Sequence, residues 1–319
     1  MSVETVTVAN KGFAAKLAEA KLSRLWLLSL ALYAFIAVWF LVSDRLSFNF
    51  ESLSRMWAVA GLLAVWEAFS RVQKTGSFAP LNSGSPRLMF AHAIFTVPAL
   101  GILNHLTMSL GMPLADNLLS GWDEALGFNW AAYANFIGDN DFLRNYTQFT
   151  YSLLIIAVLL VALDKGLSKQ YARCQEVFAL HMGTAFTAIL FACFFPSRGT
   201  MDRYSDAAIR AKFDPETGTA YIKQLVELRS GEHVTIDPLH MMGLAEFPSF
   251  HTAAAILIVY ACRGNFVRLA VGSTFAIGMI GGTPIYGAHY FVDLISGTCL
   301  ALVAIGVSRL FKPALVSHK

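Results

Sequence analysis

Eight apolar stretches of membrane length, at about 25–42, 54–70, 88–106, 148–164, 177–196, 247–262, 266–283 and 289–308, decide what this chain can become. A transmembrane helix needs about 20 mostly apolar residues, with about 17 the lower limit. The second and sixth stretches are short. Eight spans is the reading, and six or seven follow if the short ones do not cross. Charged residues make up only 14% of the chain and hydrophobic ones 56%. A soluble domain carries roughly 25% charged residues, so there are too few here to cover a water-soluble globule. So much apolar surface would collapse, which excludes a long disordered chain. The four cysteines, Cys174, Cys193, Cys262 and Cys299, have no bridge-like or metal-like spacing. A net charge of +3 with no basic tract makes nucleic acid a poor partner. The expected fold class is all-α: a polytopic membrane helix bundle forming one integral domain over 1–319.

Charge sets the expected orientation. No cleavable signal is evident, so the first stretch reads as a retained span behind Lys11, Lys16, Lys21 and Arg24. With the N-terminus in the cytoplasm, the inner side holds those four with Arg71, Lys74, Arg87, Lys165, Lys169, Arg173, Arg263, Arg268, Arg309, Lys312 and Lys319. That is 15 of the 24 basic residues, and every short loop obeys the positive-inside rule. Both termini are then cytoplasmic. Glu67, beside Trp66, Arg71 and Lys74, reads as interfacial.

Two long segments face outward in this scheme, at roughly 107–147 and 197–246. The first contains LLSGWDEALGFNWAAYANFIG (118–138), which reads as one or two short amphipathic helices in the interface. In the second, 219–229 has a helical pattern with Ile222, Leu225 and Val226 on its apolar face. Loops of this length without purpose are uncommon, and the expectation is that they roof a site.

Two motifs begin spans on that same outer side. In GLAEFPSFH (243–251), Ser249 is a favoured N-cap, which puts His251 in the first helical turn. The free N–H groups and dipole there favour an anion. A histidine placed on a phosphate oxygen can protonate a leaving group. In YGAHYFVDLISG (286–297), His289 and Asp293 are four apart and share a helix face. A carboxylate at that spacing can hold one imidazole N–H and leave the other nitrogen as a nucleophile. Gly297 continues the face and admits a close helix neighbour. Singly, each histidine is unremarkable and the His–Asp pair could be a structural hydrogen bond. Together, joined by one helical hairpin, they describe a phosphate site.

The two motifs resemble the second and third signature motifs of the type 2 phosphatidic acid phosphatase superfamily, Pro-Ser-x-His and Ser-Arg-x5-His-x3-Asp. The His-Tyr-x-x-Asp-x-x-x-Gly variant is similar to the inositolphosphotransferase branch, which includes the fungal inositol phosphorylceramide synthases. The segment DEALGFNW (123–130) also resembles a feature of bacterial members of that branch. The resemblance covers about 118–308. It implies a six-helix catalytic core over 88–308, with two extra N-terminal spans in 1–87. It further implies His289 as the phosphoryl-accepting nucleophile, Asp293 as its orienting carboxylate, His251 as the general acid and Ser249 as part of the phosphate cradle. Two departures matter. Gly282 and Thr283 stand where the motif has Ser-Arg. The first motif, Lys-x6-Arg-Pro, has no clean counterpart beyond FPSRGT (195–200), so Arg198 is the expected phosphate clamp, with Arg144 and Arg203 in reserve. Tyr286 is a further substrate-binding candidate. Asp123, Asp139 and Asp141 hint at a metal, but this chemistry needs none, and neither a metal nor a cofactor is expected.

Three functions compete. The first is a phosphotransferase moving a phosphate-linked head group from a lipid to an alcohol acceptor. The second is a phosphatase acting on phosphatidate or a polyprenyl diphosphate. The third is a non-catalytic transporter or scaffold. Apart from Glu67 and the histidine motifs, no charged residue lies clearly within a span, which argues against the third. A roofed pocket that excludes water favours transfer over hydrolysis. The expected substrates are amphiphilic, a phospholipid or polyprenyl phosphate. The expected setting is a bacterial inner membrane with the site on the periplasmic side.

Overall fold

A computed structural model describes residues 25–75 and 85–310. Lys11, Lys16, Lys21, Arg24, Lys312 and Lys319, and the side chains of Arg71 and Lys74, lie outside the described set. The chain runs α1 (Leu25–Val42), β1 (Leu46–Phe48), α2 (Phe50–Thr75), α3 (Pro86–Met108), α4 (Asp116–Ala125), α5 (Trp130–Gly138), α6 (Asp141–Ser152), α7 (Leu154–Leu167) and α8 (Tyr171–Ala192). It continues through α9 (Gly199–Tyr204), α10 (Ala207–Arg210), α11 (Ile222–Arg229), β2 (Val234–Ile236), α12 (Phe250–Cys262), α13 (Phe266–Tyr286) and α14 (Phe291–Leu310). Helix satisfies every backbone group within its own segment, which is what lipid demands. Short polar side chains start the helices: Ser85, Asn129, Asn140, Asp206, Ser249 and Asn265 each accept a backbone N–H from the first turn.

The fold is the expected polytopic helix bundle, with fewer full spans than eight among the described residues. By length and composition α1, Arg87–Met108 of α3, α8, α13 and α14 can cross a membrane. The expected span over 148–164 is broken: α6 and α7 meet at 63° and make a sixth crossing only as a bent pair. Helix α2 is 26 residues long, but Glu51, Arg55 and Glu67 dilute it below a span. Glu67 is buried and pairs with Arg87 at 3.1 Å. Helix α12, at 13 residues, is apolar but short. It can be short because α7, α8, α13 and α14 surround it, so it meets protein where a lone span would meet lipid.

Lipid tails are as apolar as leucine, so helices in a bilayer associate through close packing. Ala253, Ala254, Ala255, Leu257 and Ile258 of α12 are all buried. A Cβ on Gly282 of α13 would come 2.6 Å from the Thr147 carbonyl of α6, and one on Gly272 would come 2.9 Å from Cys262 Sγ of α12. Gly297 of α14 lies directly against the Ser249 carbonyl.

Residues 116–138 fold as two short helices, α4 and α5, and 219–229 supplies α11. Their apolar faces join a core with Met108, Trp130, Ile137, Met201, Ile209, Tyr221, Leu225, Leu228 and Leu244. Ile36, Leu46 and Leu53 of the N-terminal segment enter the same core. The link is reinforced by a parallel ladder that pairs Leu46–Phe48 with Val234–Ile236. At the other end of the bundle, basic residues of three connections meet. Arg173 donates to the Arg263 carbonyl, Arg268 pairs with Asp164, and Arg263 and Arg309 both lie over the Tyr260 ring.

Candidate active site

The N-terminus of α12 is built by its own sequence. Ser249 is fully buried, and its Oγ accepts the Thr252 N–H. Its backbone N–H donates to the Asp293 carbonyl of α14. With Gly297 against the Ser249 carbonyl, the starts of α12 and α14 are locked side by side. His251 therefore sits in the first turn of α12, beside the segment that carries His289.

That second segment, 284–292, is held by donors and acceptors from three other elements. Trp130 Nε1 of α5 and Thr200 Oγ1 of α9 donate to the Pro284 carbonyl. The Thr200 N–H donates to the Ala288 carbonyl. Tyr290 Oη donates to Asp116 of α4, which also accepts the Arg198 and Gly199 N–H groups. Both oxygens of Asp123 accept the first N–H groups of α14, at Phe291 and Val292. A carboxylate on a helix N-terminus is the favourable sign for the dipole. The DEALGFNW segment thus acts as an anchor: Asp123 holds α14, Asn129 caps α5 and Trp130 holds Pro284. Ala288 has a left-handed backbone, φ 53°, and turns the chain so that His289 faces inward. Gly199 and Gly218, φ 78° and 64°, pack against it where any Cβ would collide.

These two frames bring the predicted histidines together. The rings of His251 and His289 lie 6.4 Å apart between centroids, inclined at 62°. A reacting nitrogen approaches phosphorus at about 3–3.5 Å, and a proton donor reaches the leaving oxygen at about 2.6–3.2 Å. One phosphate group between two imidazoles needs a gap of this size. His251 stacks on Tyr151 at 4.1 Å, and Tyr286 lies 6.0 Å from Tyr151, completing an aromatic wall. His289 Nδ1 is hydrogen-bonded to Asp293 Oδ2 at 3.2 Å, which leaves Nε2 as the free ring nitrogen. The same Asp293 oxygen accepts the Tyr290 N–H at 2.9 Å.

Glu246 completes the site and carried no role in the sequence reading. Its Oε2 lies 3.1 Å from His289 Nδ1, without hydrogen-bond geometry, and it is buried. Burial pushes the Glu246 carboxyl up to about 7, with Asp293 and Asp116 adding to the shift and His289 opposing it. Burial also lowers the His289 imidazole, against the pull of Glu246. The glutamate stands five residues before His251 in the quoted motif, but no periodicity links it to His289. Only the fold brings them together.

The expected clamps are less direct. The Arg198 side chain is engaged by Asp202, Nε to Oδ2 at 2.8 Å, while its backbone N–H donates to Asp116 near the His289 segment. Arg203 donates to Asn117 Oδ1, and Arg144 is held by Asp141 and the Gly138 carbonyl. Tyr286 Oη donates to the Arg144 carbonyl. Ser249 Oγ is used as the helix cap. Thr283, at the missing arginine's position, is fully buried with its hydroxyl on the Met279 carbonyl, which leaves no room for a long side chain. Asp123, Asp139 and Asp141 do not converge: Asp139 pairs with Lys212 and Asp141 with Arg144. Nδ1 of His289 and one oxygen each of Glu246 and Asp293 do lie within 4.8 Å of one another. The nitrogen there is the one whose N–H Asp293 requires, so the donor chemistry suits a proton.

A family model described as the PAP2 superfamily matches residues 117–307, which takes in both histidine motifs, the α4–α5 segment and the roof. Comparisons with curated proteins and with solved structures return no match.

Proposed function

The chain belongs to the PAP2 superfamily, and from that premise we propose that it is a membrane phosphotransferase working through a phosphohistidine. The observation that carries this reading is the His251–His289 pair, 6.4 Å apart, with Asp293 on the Nδ1 side of one ring. Nε2 of His289 attacks phosphorus and the bond to the leaving oxygen breaks. His251, protonated, gives its proton to that oxygen as it departs. Asp293 holds the Nδ1 proton and balances the positive charge that the ring gains. An alcohol then attacks the phosphohistidine, gives its proton back to His251 and restores His289. The first turn of α12 offers backbone N–H groups to the phosphate, and Ser249, Arg198 and Tyr286 are the further proposed substrate contacts.

Transfer is preferred to hydrolysis for two reasons. The nucleophile is only 3% exposed beneath the α9–α11 roof, which limits competition from water. The acids Glu246, Asp293 and Asp116 also surround it, and such a setting suits a singly charged phosphodiester better than a dianionic monoester. The His-Tyr-x-x-Asp motif points the same way, to the inositolphosphotransferase-like branch. The donor is a phospholipid or polyprenyl phosphate whose tails lie among the helices. We place the site on the periplasmic side of a bacterial inner membrane.

Purified protein incubated with radiolabelled lipid phosphates, with and without alcohol acceptors, tests this. A new phosphodiester lipid is the expected product, and free phosphate alone would assign the hydrolase instead. His289→Ala should abolish turnover and the acid-labile phosphate trapped on the native protein. Normal turnover by that variant would refute the assignment.

A further inference from the structure

Two carboxyl groups face one ring nitrogen at the centre of the site. Asp293 Oδ2 is 3.2 Å and Glu246 Oε2 is 3.1 Å from His289 Nδ1. Both acids are buried, and no lysine or arginine side chain pairs with either among the described residues. Glu246 Oε2 and Asp293 Oδ1 each lack a hydrogen-bond partner. Two like charges so close in a buried site cannot both ionise at little cost. Nδ1 carries one proton and can satisfy one of the two.

Resting on the reading above, we propose that Glu246 is a positioning residue that shares one additional proton with Asp293 on the Nδ1 side of His289. A single negative charge then backs the nucleophile when the anionic phosphate arrives. The groups facing Glu246 are His289 on the segment before α14, Asp293 on α14, Asp116 on α4, Tyr221 before α11 and Tyr151 on α6. Of these Asp116 is satisfied by Tyr290 and two backbone N–H groups, and the tyrosines are neutral. The extra proton therefore belongs to the Glu246–Asp293 pair. No bond is made or broken by Glu246. It keeps Nδ1 flanked on both sides, and it holds down the negative charge that the substrate must meet.

The pH dependence follows. The glutamate titrates near 7 in the folded protein against 4.5 when free. The folded state thus binds more protons than the unfolded state between these values, and stability falls as pH rises through that window. Above about pH 7 the second charge appears beside the phosphate site and weakens anion binding, which raises KM.

The test compares native protein with Glu246→Gln, measuring KM, kcat and Tm from pH 5 to pH 9 on the lipid substrate found above. KM of the native protein is expected to rise about tenfold between pH 6.5 and pH 8.5. Glu246→Gln should keep a nearly flat KM and show a shallower fall of Tm with pH. A parallel rise of KM in both proteins, or parallel Tm curves, overturns the proposal. So does a folded Glu246→Gln protein inactive at every pH, which would mean that the ionised carboxylate is required. Loss of native activity with EDTA and its recovery with Mg2+ or Mn2+ would also overturn it, because a cation would then hold the pair. If the amide variant does not accumulate, Glu246→Asp serves: a pH-dependent KM supports the proposal and a flat one overturns it. If the native protein shows no turnover but its Tm falls with pH and Glu246→Gln flattens that fall, the shared proton is supported and the proposed function is overturned.

Discussion

At the residue scale, the phosphate site depends on how little room surrounds His289. A Cβ on Gly287 would lie 2.6 Å from His289 Cδ2 and 2.6 Å from Tyr151 Oη. Gly287→Ala must therefore push the His289 ring, the proposed nucleophile, or the aromatic wall out of place. A displacement of about 1 Å in such a site costs on the order of 100-fold in rate. We expect kcat to fall by about that factor with yield nearly unchanged, measured against the native enzyme on its lipid substrate. His289 and Asp293 are legible in the sequence because helix spacing relates them, and His251 because Ser249 marks a helix start before it. Glu246 was not legible. Its partner lies 43 positions away, and only the locked starts of α12 and α14 bring the two together. Ser249 reads as an N-cap from its place before the helix, and the resemblance alone makes it part of the phosphate cradle. Its Oγ accepts the Thr252 N–H, as a cap does.

At the element scale, the site is only as rigid as the contact between α13 and the α6–α7 bend. Tyr146, Thr147 and Thr150 of α6 lie against Gly278 and Gly282 of α13. The sequence predicted one straight helix through this region because its apolar run is continuous across 148–164. The actual break at Leu153 follows from packing: α6 leans along α13, and the polar residues of 141–152 place it against the roof segments. Gly282→Ala would set a methyl 2.6 Å from the Thr147 carbonyl, a backbone atom that cannot rotate away. Overpacking of this kind costs about 1–3 kcal/mol. For a chain of this size that lowers Tm by about 2–4 °C per kcal/mol. Gly61, with open space around it on α2, is the control. Gly61→Ala should leave Tm unchanged or raise it slightly, since alanine is the better helix former. Equal losses from both variants would show that the α6–α13 contact is not tight.

At the scale of the whole molecule, the bundle has two unlike ends. One carries His251, His289, the roof and the β1–β2 ladder. The other gathers Arg173, Arg263, Arg268 and Arg309 around Asp164, Glu176 and Tyr260. The positive-inside rule predicts the arginine end in the cytoplasm, and α12 puts His251 and Arg263 at its opposite ends. If the histidine end faces outward, a lipid head group reaches the site from the outer leaflet. Native thiols interfere little with a labelling test: Cys174, Cys193 and Cys262 are buried, and Cys299 can be replaced by serine. In that background Glu216→Cys, on the exposed roof, should react with a membrane-impermeant maleimide on intact cells. Ser168→Cys, between α7 and α8, should react only after the cells are opened. The reverse pattern would put the phosphate chemistry on the cytoplasmic face. The charge count, which set the orientation, would then have to yield to a signal in the terminal segments that carry six of its fifteen residues.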